Sequence, residues 1–236
     1  MSCPAGLASG FGVSAAESAA ICFLKSYFGI GSDGLGVYAT GTGLLIEAGA
    51  SARHVVTAAH NVCRHGLDIS GRGRKAVWTS LWFRRNGSNS FATRDVIQYS
   101  YPDRFAAASS APADSDYAIL RVNPLASDRF GGVTLAESTA SGETDKLLVG
   151  YPDEGGCQGS AKPWHARLVV APSGPANYGY KPQPTYAGMS GGPLFTRVAR
   201  GGSLRCWGIH IRGGDAEPHR AIRFSAPVLT EIDTWL

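Results

Sequence analysis

A chain of 236 residues, 44% hydrophobic and 17% charged, can bury a full core and is too apolar to be disordered throughout. Its net charge of +4 comes from scattered Lys and Arg, and the one basic cluster, Arg72 to Lys75, reads as a solvated loop rather than a nucleic-acid site. No apolar run approaches the roughly 20 residues that a membrane-spanning helix needs, so no membrane partner is expected.

The 31 glycines and 13 prolines are spread along the chain and punctuate short apolar runs, a turn-rich β pattern without internal repeats. No Lys or Arg precedes Lys25, and AAICFL is shorter than a secretory core. With five cysteines, an odd number, these features lean towards a reducing cytoplasm, or towards secretion after removal of a signal. Strands are predicted over 20–28, 37–48, 53–59, 76–84, 92–100 and 117–122. After a small-residue and polar connector, 123–143, a second set is predicted over 146–152, 164–172, 191–198, 204–211 and 221–227. The end carries Val228, Leu229, Ile232 and Trp235 at helical spacing, with Ser225 and Pro227 at its start. The implied fold is all-β: two small antiparallel barrels over 20–122 and 144–226, closed by a helix over 227–236.

The stretch TYAGMSGGPLF, 185–195, sets one serine, Ser190, among three glycines. By itself this fits a tight loop as well as a nucleophile with N–H groups turned towards a reacting carbonyl. A serine hydroxyl attacks poorly until a base takes its proton, so a histidine and a carboxylate must come from elsewhere. HVVTAAH brings His60 to the exit of an apolar strand, and ADSDYAIL sets Asp116 directly before another. Each alone fits a hydrogen-bonded strand-end histidine or a turn aspartate. In the chain order His60, Asp116, Ser190 they make a complete base, orienting carboxylate and nucleophile. A metal reading of His54, His60, Cys63 and His65 lacks a standard zinc spacing, and no metal or other cofactor is expected. GMSGG also matches the Gly-x-Ser-x-Gly string of esterase elbows, but Pro193 and a β-type run follow where that elbow needs a helix.

GTGLLIE, HVVTAAH, DYAIL, GYP and GMSGGPLF with the later GIH resemble the chymotrypsin-fold serine proteases, and within them the glutamyl endopeptidase-like branch. The resemblance spans roughly 21–236 and implies one peptidase unit of two six-stranded β-barrels with the triad between them. It implies His60 as general base, Asp116 as its orienting carboxylate and Ser190 as nucleophile. The N–H groups of Gly188 and Ser190 would form the oxyanion hole, with Gly188 freeing the backbone and Gly191 leaving room for the acyl group. It also implies a pocket of Thr185, His210 and Gly213 that takes glutamate, then aspartate. A carboxylate losing water there needs donors in return, and Thr185 can offer a hydroxyl and His210 an N–H, more strongly as the imidazolium. Protein or peptide substrates and a monomeric state are the implied partners. The chain departs from the trypsin-like branch at Met189, where that branch has an aspartate, and lacks an IVGG start. Asn61 rather than a cysteine follows His60, and Thr40 stands where its disulfide partner would be. The competing readings are a catalytically silent binding module on the same fold, and an active protease with a small apolar pocket.

Overall fold

The computed structural model describes residues 19–46, 53–67, 72–84, 91–124, 133–153, 163–181, 185–197, 204–213 and 219–236. Cys3, Cys157 and most of the first twenty residues lie outside that set.

Strand β1 (Ile21–Ile30) shows how the first barrel forms. Cys22, Leu24, Ser26 and Phe28 are buried, while Phe23, Lys25 and Tyr27 between them are partly exposed, the two-residue period of a strand with one face inward. The ring runs from β1 to β2 (Gly36–Ile46), β3 (His54–Thr57), β8 (Ala118–Val122), β7 (Phe91–Ser100) and β6 (Trp78–Arg84), which closes on β1. Every pairing in it is antiparallel. Closure removes the free edges that an open sheet would expose. Two short strands, β4 (Cys63–Arg64) and β5 (Arg74–Lys75), pair outside the barrel, and a short helix α1 (Asp103–Ala107) precedes β8.

The second ring follows the order β10 (Thr144–Gly150), β11 (Trp164–Pro172), β12 (Asn177–Tyr180), β15 (His219–Arg223), β14 (Leu204–Arg212) and β13 (Pro193–Arg197), with β13 returning to β10. Strand β9 (Thr134–Leu135), from the segment read as a connector, adds in parallel to β14. Two six-stranded barrels therefore stand as expected. The sequence pattern supplied only five strands for the second, because β12 is the four-residue NYGY, too short and too glycine-interrupted to show alternation. Several strand ends also differ; the strand predicted over 221–227 runs only over His219–Arg223, the helix beginning at Ala226. The strand predicted over 53–59 stops at Thr57, where a 3-10 turn takes over at Ala59–Asn61. The strand predicted from Gly191 begins at Pro193, because both glycines belong to the preceding turn.

Strand β10 is buried on both faces and joins the barrels. Leu148 lies in the interior of the second barrel with Leu168, Val170, Tyr178 and Met189. Leu147 and Val149 belong to the larger cluster, which runs through the first barrel and on to Phe195, Ile209 and Ile222. The C-terminal helix α2 (Ala226–Asp233) caps that cluster with Val228 and Ile232. Ser225 stands at its N-cap with extended backbone, and proline occupies the first turn, as the sequence suggested. A polar clamp then ties α2 to the first barrel. Arg104 on α1 donates to both Glu231 carboxylate oxygens at 3.1 and 2.9 Å, and to the Tyr117 hydroxyl at 2.8 Å. Tyr117 in turn donates to Glu231, and its ring packs 6.0 Å from that of Trp235. The clamp holds the carboxyl of Glu231 below its ordinary pKa: burial pulls upward, but the hydrogen bonds from Arg104 and Tyr117 outweigh it. Cys22, Cys63 and Cys206 are buried free thiols.

Candidate active site

The small residues Ala58 and Ala59, both fully buried, let the chain turn sharply as β3 ends and carry His60 out on the 3-10 turn. Asp116 arrives from the start of β8 on a loop closed by Ser115 N–H to the Pro112 carbonyl at 3.3 Å and Tyr117 N–H to the Ser115 carbonyl at 3.0 Å. The two residues make a two-point clasp. The backbone N–H of His60 donates to Asp116 Oδ1 at 2.9 Å, and the ring Nδ1 lies 2.6 Å from Oδ2. A carboxylate accepts, so Nδ1 carries the proton and Nε2 keeps its lone pair, the tautomer a general base needs. The side chain of Asp116 is 7% exposed and that of His60 30%, so the carboxylate is shielded while the imidazole reaches solvent. Burial pulls the imidazole pKa down, but the charge and hydrogen bond of Asp116 outweigh it and leave His60 above the ordinary histidine value.

Ser190 sits on the turn between Thr185 and Gly192, and that turn is anchored through its carbonyls. Tyr186 accepts from Met189 N–H, Ala187 from Asp153 N–H, Met189 from Gly192 N–H and Gly192 from His210 N–H, all at 2.7 to 3.1 Å. The Gly188 carbonyl accepts from the Thr42 hydroxyl at 2.8 Å. The Ser190 carbonyl accepts from Thr42 N–H at 2.8 Å and Asn61 Nδ2 at 2.9 Å. The N–H groups of Gly188 and Ser190, in contrast, meet no acceptor among the described residues. Fixed carbonyls and two uncommitted N–H groups make a ready donor pair for a developing oxyanion. Gly188 has φ +88°, and an added Cβ would lie 2.5 Å from the Tyr151 carbonyl oxygen, so glycine is required there. Gly191 has φ +85° and makes a close approach of its own. Its Cβ would strike the Thr42 carbonyl oxygen at 2.1 Å and Thr57 Oγ1 at 2.3 Å, so glycine there lets the turn press against the first barrel.

Thr185, Ser190, His210 and Gly213 line one cleft of about 310 Å³, together with Tyr186, Ala187, Ile211 and Arg212. The three pocket residues read from the sequence thus converge beside the serine. Gly213 does more than keep a wall open: a Cβ there would fall 1.7 Å from Thr185 Oγ1 and 3.1 Å from His210 Cε1, so its absence is what lets those two side chains sit where they do. His210 is 2% exposed and bonded through Nδ1 to the Tyr180 hydroxyl. Burial foremost, then the neighbouring His219 and His60, push its pKa down to about 3, so in the free protein the pocket offers a neutral imidazole and not the imidazolium. Met189 is fully buried in the apolar interior of the second barrel. Among the described residues no group of three or more His, Cys, Asp or Glu is gathered around a metal position.

Sequence reasoning passed over Thr42 and Asn61. Beyond its contacts to Gly188 and Ser190, the Thr42 hydroxyl accepts from Tyr151 N–H at 2.9 Å, and its carbonyl accepts from the Thr57 hydroxyl at 2.7 Å. Asn61 also donates to Thr57 Oγ1 at 3.0 Å, and Gly41 lacks a Cβ where one would meet Asn61 at 2.3 Å. The available signal was GTG, a hydroxyl between two glycines on an otherwise apolar strand.

Two antiparallel six-stranded barrels with a serine turn, a carboxylate-clasped histidine and a cleft beside that serine define the chymotrypsin-like class of serine peptidases. Residues 41–201 match the family described as the trypsin-like peptidase domain; the chain belongs to that family and is a serine endopeptidase. Among solved structures it is similar to a Glu endopeptidase in complex with MPD, 16% identical with a TM-score of 0.69, the match covering 93% of this chain and 91% of that one. It is also similar to the thermostable serine protease AL20 from an extremophilic microorganism, 15% identical with a TM-score of 0.69, covering 93% and 98%. A third is the protease Anisep from Arthrobacter nicotinovorans, 20% identical with a TM-score of 0.68, covering 93% and 96%. Sequence comparison with curated proteins finds no significant match.

Proposed function

We propose that the protein hydrolyses peptide bonds through an acyl-enzyme formed on Ser190, with His60 as general base and Asp116 as its orienting partner. Ser190 Oγ attacks the carbonyl carbon while His60 Nε2 takes its proton; the tetrahedral oxyanion is held by the Gly188 and Ser190 N–H groups. The protonated imidazole then gives its proton to the leaving amine, and a water repeats the sequence to release the acid. The two-point clasp of Asp116 on His60 carries this reading, because a catalytically silent relative has no use for a base held in one tautomer. The substrate is a protein or peptide with glutamate, and more weakly aspartate, before the scissile bond. Support comes from the cleft beside Ser190, which brings together a hydroxyl, an imidazole and the glycine that makes space for both.

A second reading, a pocket for small apolar residues, is favoured by the neutral state of His210. One experiment tests both: digestion of a random peptide library with the purified protein, alongside labelling by a fluorophosphonate probe. Labelling of Ser190 with cleavage after glutamate is the expected result. Cleavage after alanine or glycine selects the second reading, and absence of labelling removes the peptidase mechanism.

A further inference from the structure

The hairpin that joins β1 to β2 ends in exposed apolar side chains. Ile30 and Leu35 at its tip are 56% and 67% exposed, and Val77, just before β6, is 63% exposed. Val77 belongs to the same place, because its N–H donates to the Tyr27 carbonyl at 2.7 Å. Behind the tip, three aromatic residues stand side by side on the outer face of three strands: Tyr27 is paired with Tyr38 on one side and with Trp78 on the other. The Tyr27 ring lies 5.0 Å from that of Tyr38 and 5.8 Å from that of Trp78. Ile30 is paired with Gly36, two residues before Tyr38, which puts it on the same face. An added Cβ on Gly36 would fall 2.9 Å from the Tyr38 ring, so that ring leans over the glycine towards the tip. Five of the eight large hydrophobic side chains exposed among the described residues are thus gathered at one end of the first barrel.

Cations surround this ridge. Lys25, next along the outer face of β1, holds its ammonium 4.6 Å from the centre of the Tyr38 ring. Arg64 on β4 donates to the Tyr38 carbonyl at 2.8 Å. The guanidinium of Arg74 on β5 lies over Gly29, where an added Cβ would fall 2.7 Å from it. Among the described residues no carboxylate forms an ion pair with any of the three. The one carboxylate of the hairpin, Asp33, accepts from the Leu35 N–H at 3.0 Å.

A partner for this end needs apolar depth and negative charge together. The strands here offer little to an extended peptide, because each is paired on both sides in a closed barrel and has no free edge to extend. We propose that this end of the first barrel is a docking face for the surface of a bilayer that contains anionic lipid. Ile30, Leu35 and Val77 enter the boundary between headgroups and acyl chains, and Tyr38 and Trp78 lie at headgroup depth, where amphipathic rings are favoured. Lys25, Arg64 and Arg74 meet the lipid phosphates and carboxylates. The expectation of no membrane partner rests on the lack of a spanning segment, and a face that lies on a bilayer needs none.

The test is flotation of the full-length protein with vesicles of phosphatidylcholine, alone or with about one-third phosphatidylserine. Binding is expected to the mixed vesicles, weakening several-fold as salt is raised, and only slight to phosphatidylcholine alone. Leu35→Ser combined with Val77→Ser alters two exposed side chains outside the core. The pair is expected to weaken binding about tenfold or more while leaving the denaturant midpoint unchanged. Hydrogen exchange of the native protein, with and without mixed vesicles, locates the face with no variant, and protection is expected over 30–38 and 77–78. No binding to mixed vesicles at low salt, undiminished binding by the double variant, or protection confined to other segments would each overturn the proposal. Poly-D-glutamate, chosen as uncleavable, covers the remaining partner. If the native protein binds it, the double variant binds it less and vesicles are not bound, the face belongs to an acidic polypeptide and the proposal is likewise overturned.

Discussion

Thr42 and Ser190 are joined across the two barrels: the Thr42 N–H donates to the Ser190 carbonyl at 2.8 Å, while the Thr42 hydroxyl holds the carbonyl of Gly188 two residues earlier. The turn that presents Ser190 from the second barrel is thus set by a side chain of the first. Thr42→Val keeps the shape but leaves Gly188 without its donor and Tyr151 N–H without that acceptor. A loss of about 1–3 kcal/mol in stability is expected from the denaturant midpoint. A fall of about tenfold or more in kcat with little change in KM is expected alongside, because the oxyanion donors matter most in the transition state.

Ser190→Ala and His60→Ala are each expected to lower kcat by about 10⁴-fold or more, and the double variant by hardly more than either, because the residues act as a unit. Peptide hydrolysis measured against the uncatalysed rate checks this. Undiminished turnover in either single variant would remove the assigned roles.

The raised pKa of His60 fixes the acid limb of the rate profile. A general base works unprotonated, so kcat/KM is expected to fall as pH drops through a value above the ordinary histidine 6.5. The same shift bears on stability with the opposite sense. The protonated His60–Asp116 pair stabilises the fold fully below pH 6.5, and that contribution is lost as pH rises through the folded-state value. Asp116→Asn is expected to move the acid limb to lower pH and to reduce kcat by about 10⁴-fold through the wrong tautomer. A pH–rate series on both proteins checks it.

Met189 offers no carboxylate and lies in the apolar interior of the second barrel, so the amine–aspartate ion pair of the trypsin-like branch has no partner here. The turn is held instead by the carbonyl anchors from Asp153, Thr42, Asn61 and His210. Protein with an intact N-terminus, verified by mass, is therefore expected to hydrolyse peptides without prior cleavage. Activity that appears only after a cut near Ile21 would contradict this.

Gly213→Ala is expected to act through Thr185, whose hydroxyl lies 1.7 Å from where the new methyl would be. Glutamyl peptides should lose about tenfold or more in kcat/KM, and His210→Ala should likewise cost most on glutamyl and little on alanyl peptides. Equal losses on the two substrates would deny both residues their place in specificity.

His60, Asp116 and Ser190 were legible as candidates because each stands at the end of an apolar strand or inside a glycine-marked turn, signals that are local in the chain. The first barrel was legible for the same reason: its six strands alternate or run apolar. Strand β12 was not, since NYGY gains its pairing from β11 and β15 and shows no pattern of its own. Thr42, Asn61 and Tyr180 were illegible for a different reason. Their partners lie 146, 129 and 30 residues away, and a hydroxyl or amide says nothing of its partner until the barrels have closed. Gly191 was seen, but its close approach to Thr42 and Thr57 was not legible, because both belong to the other barrel.

The clamp of Arg104, Tyr117 and Glu231 has a consequence for the order in which the enzyme comes into being. Tyr117 is the chain neighbour of Asp116, and its hydroxyl and ring are held by Glu231 and Trp235. The segment that carries Asp116 is therefore braced by a residue 114 positions further along the chain than Tyr117, and that segment is not fully held until Glu231 and Trp235 have packed against it.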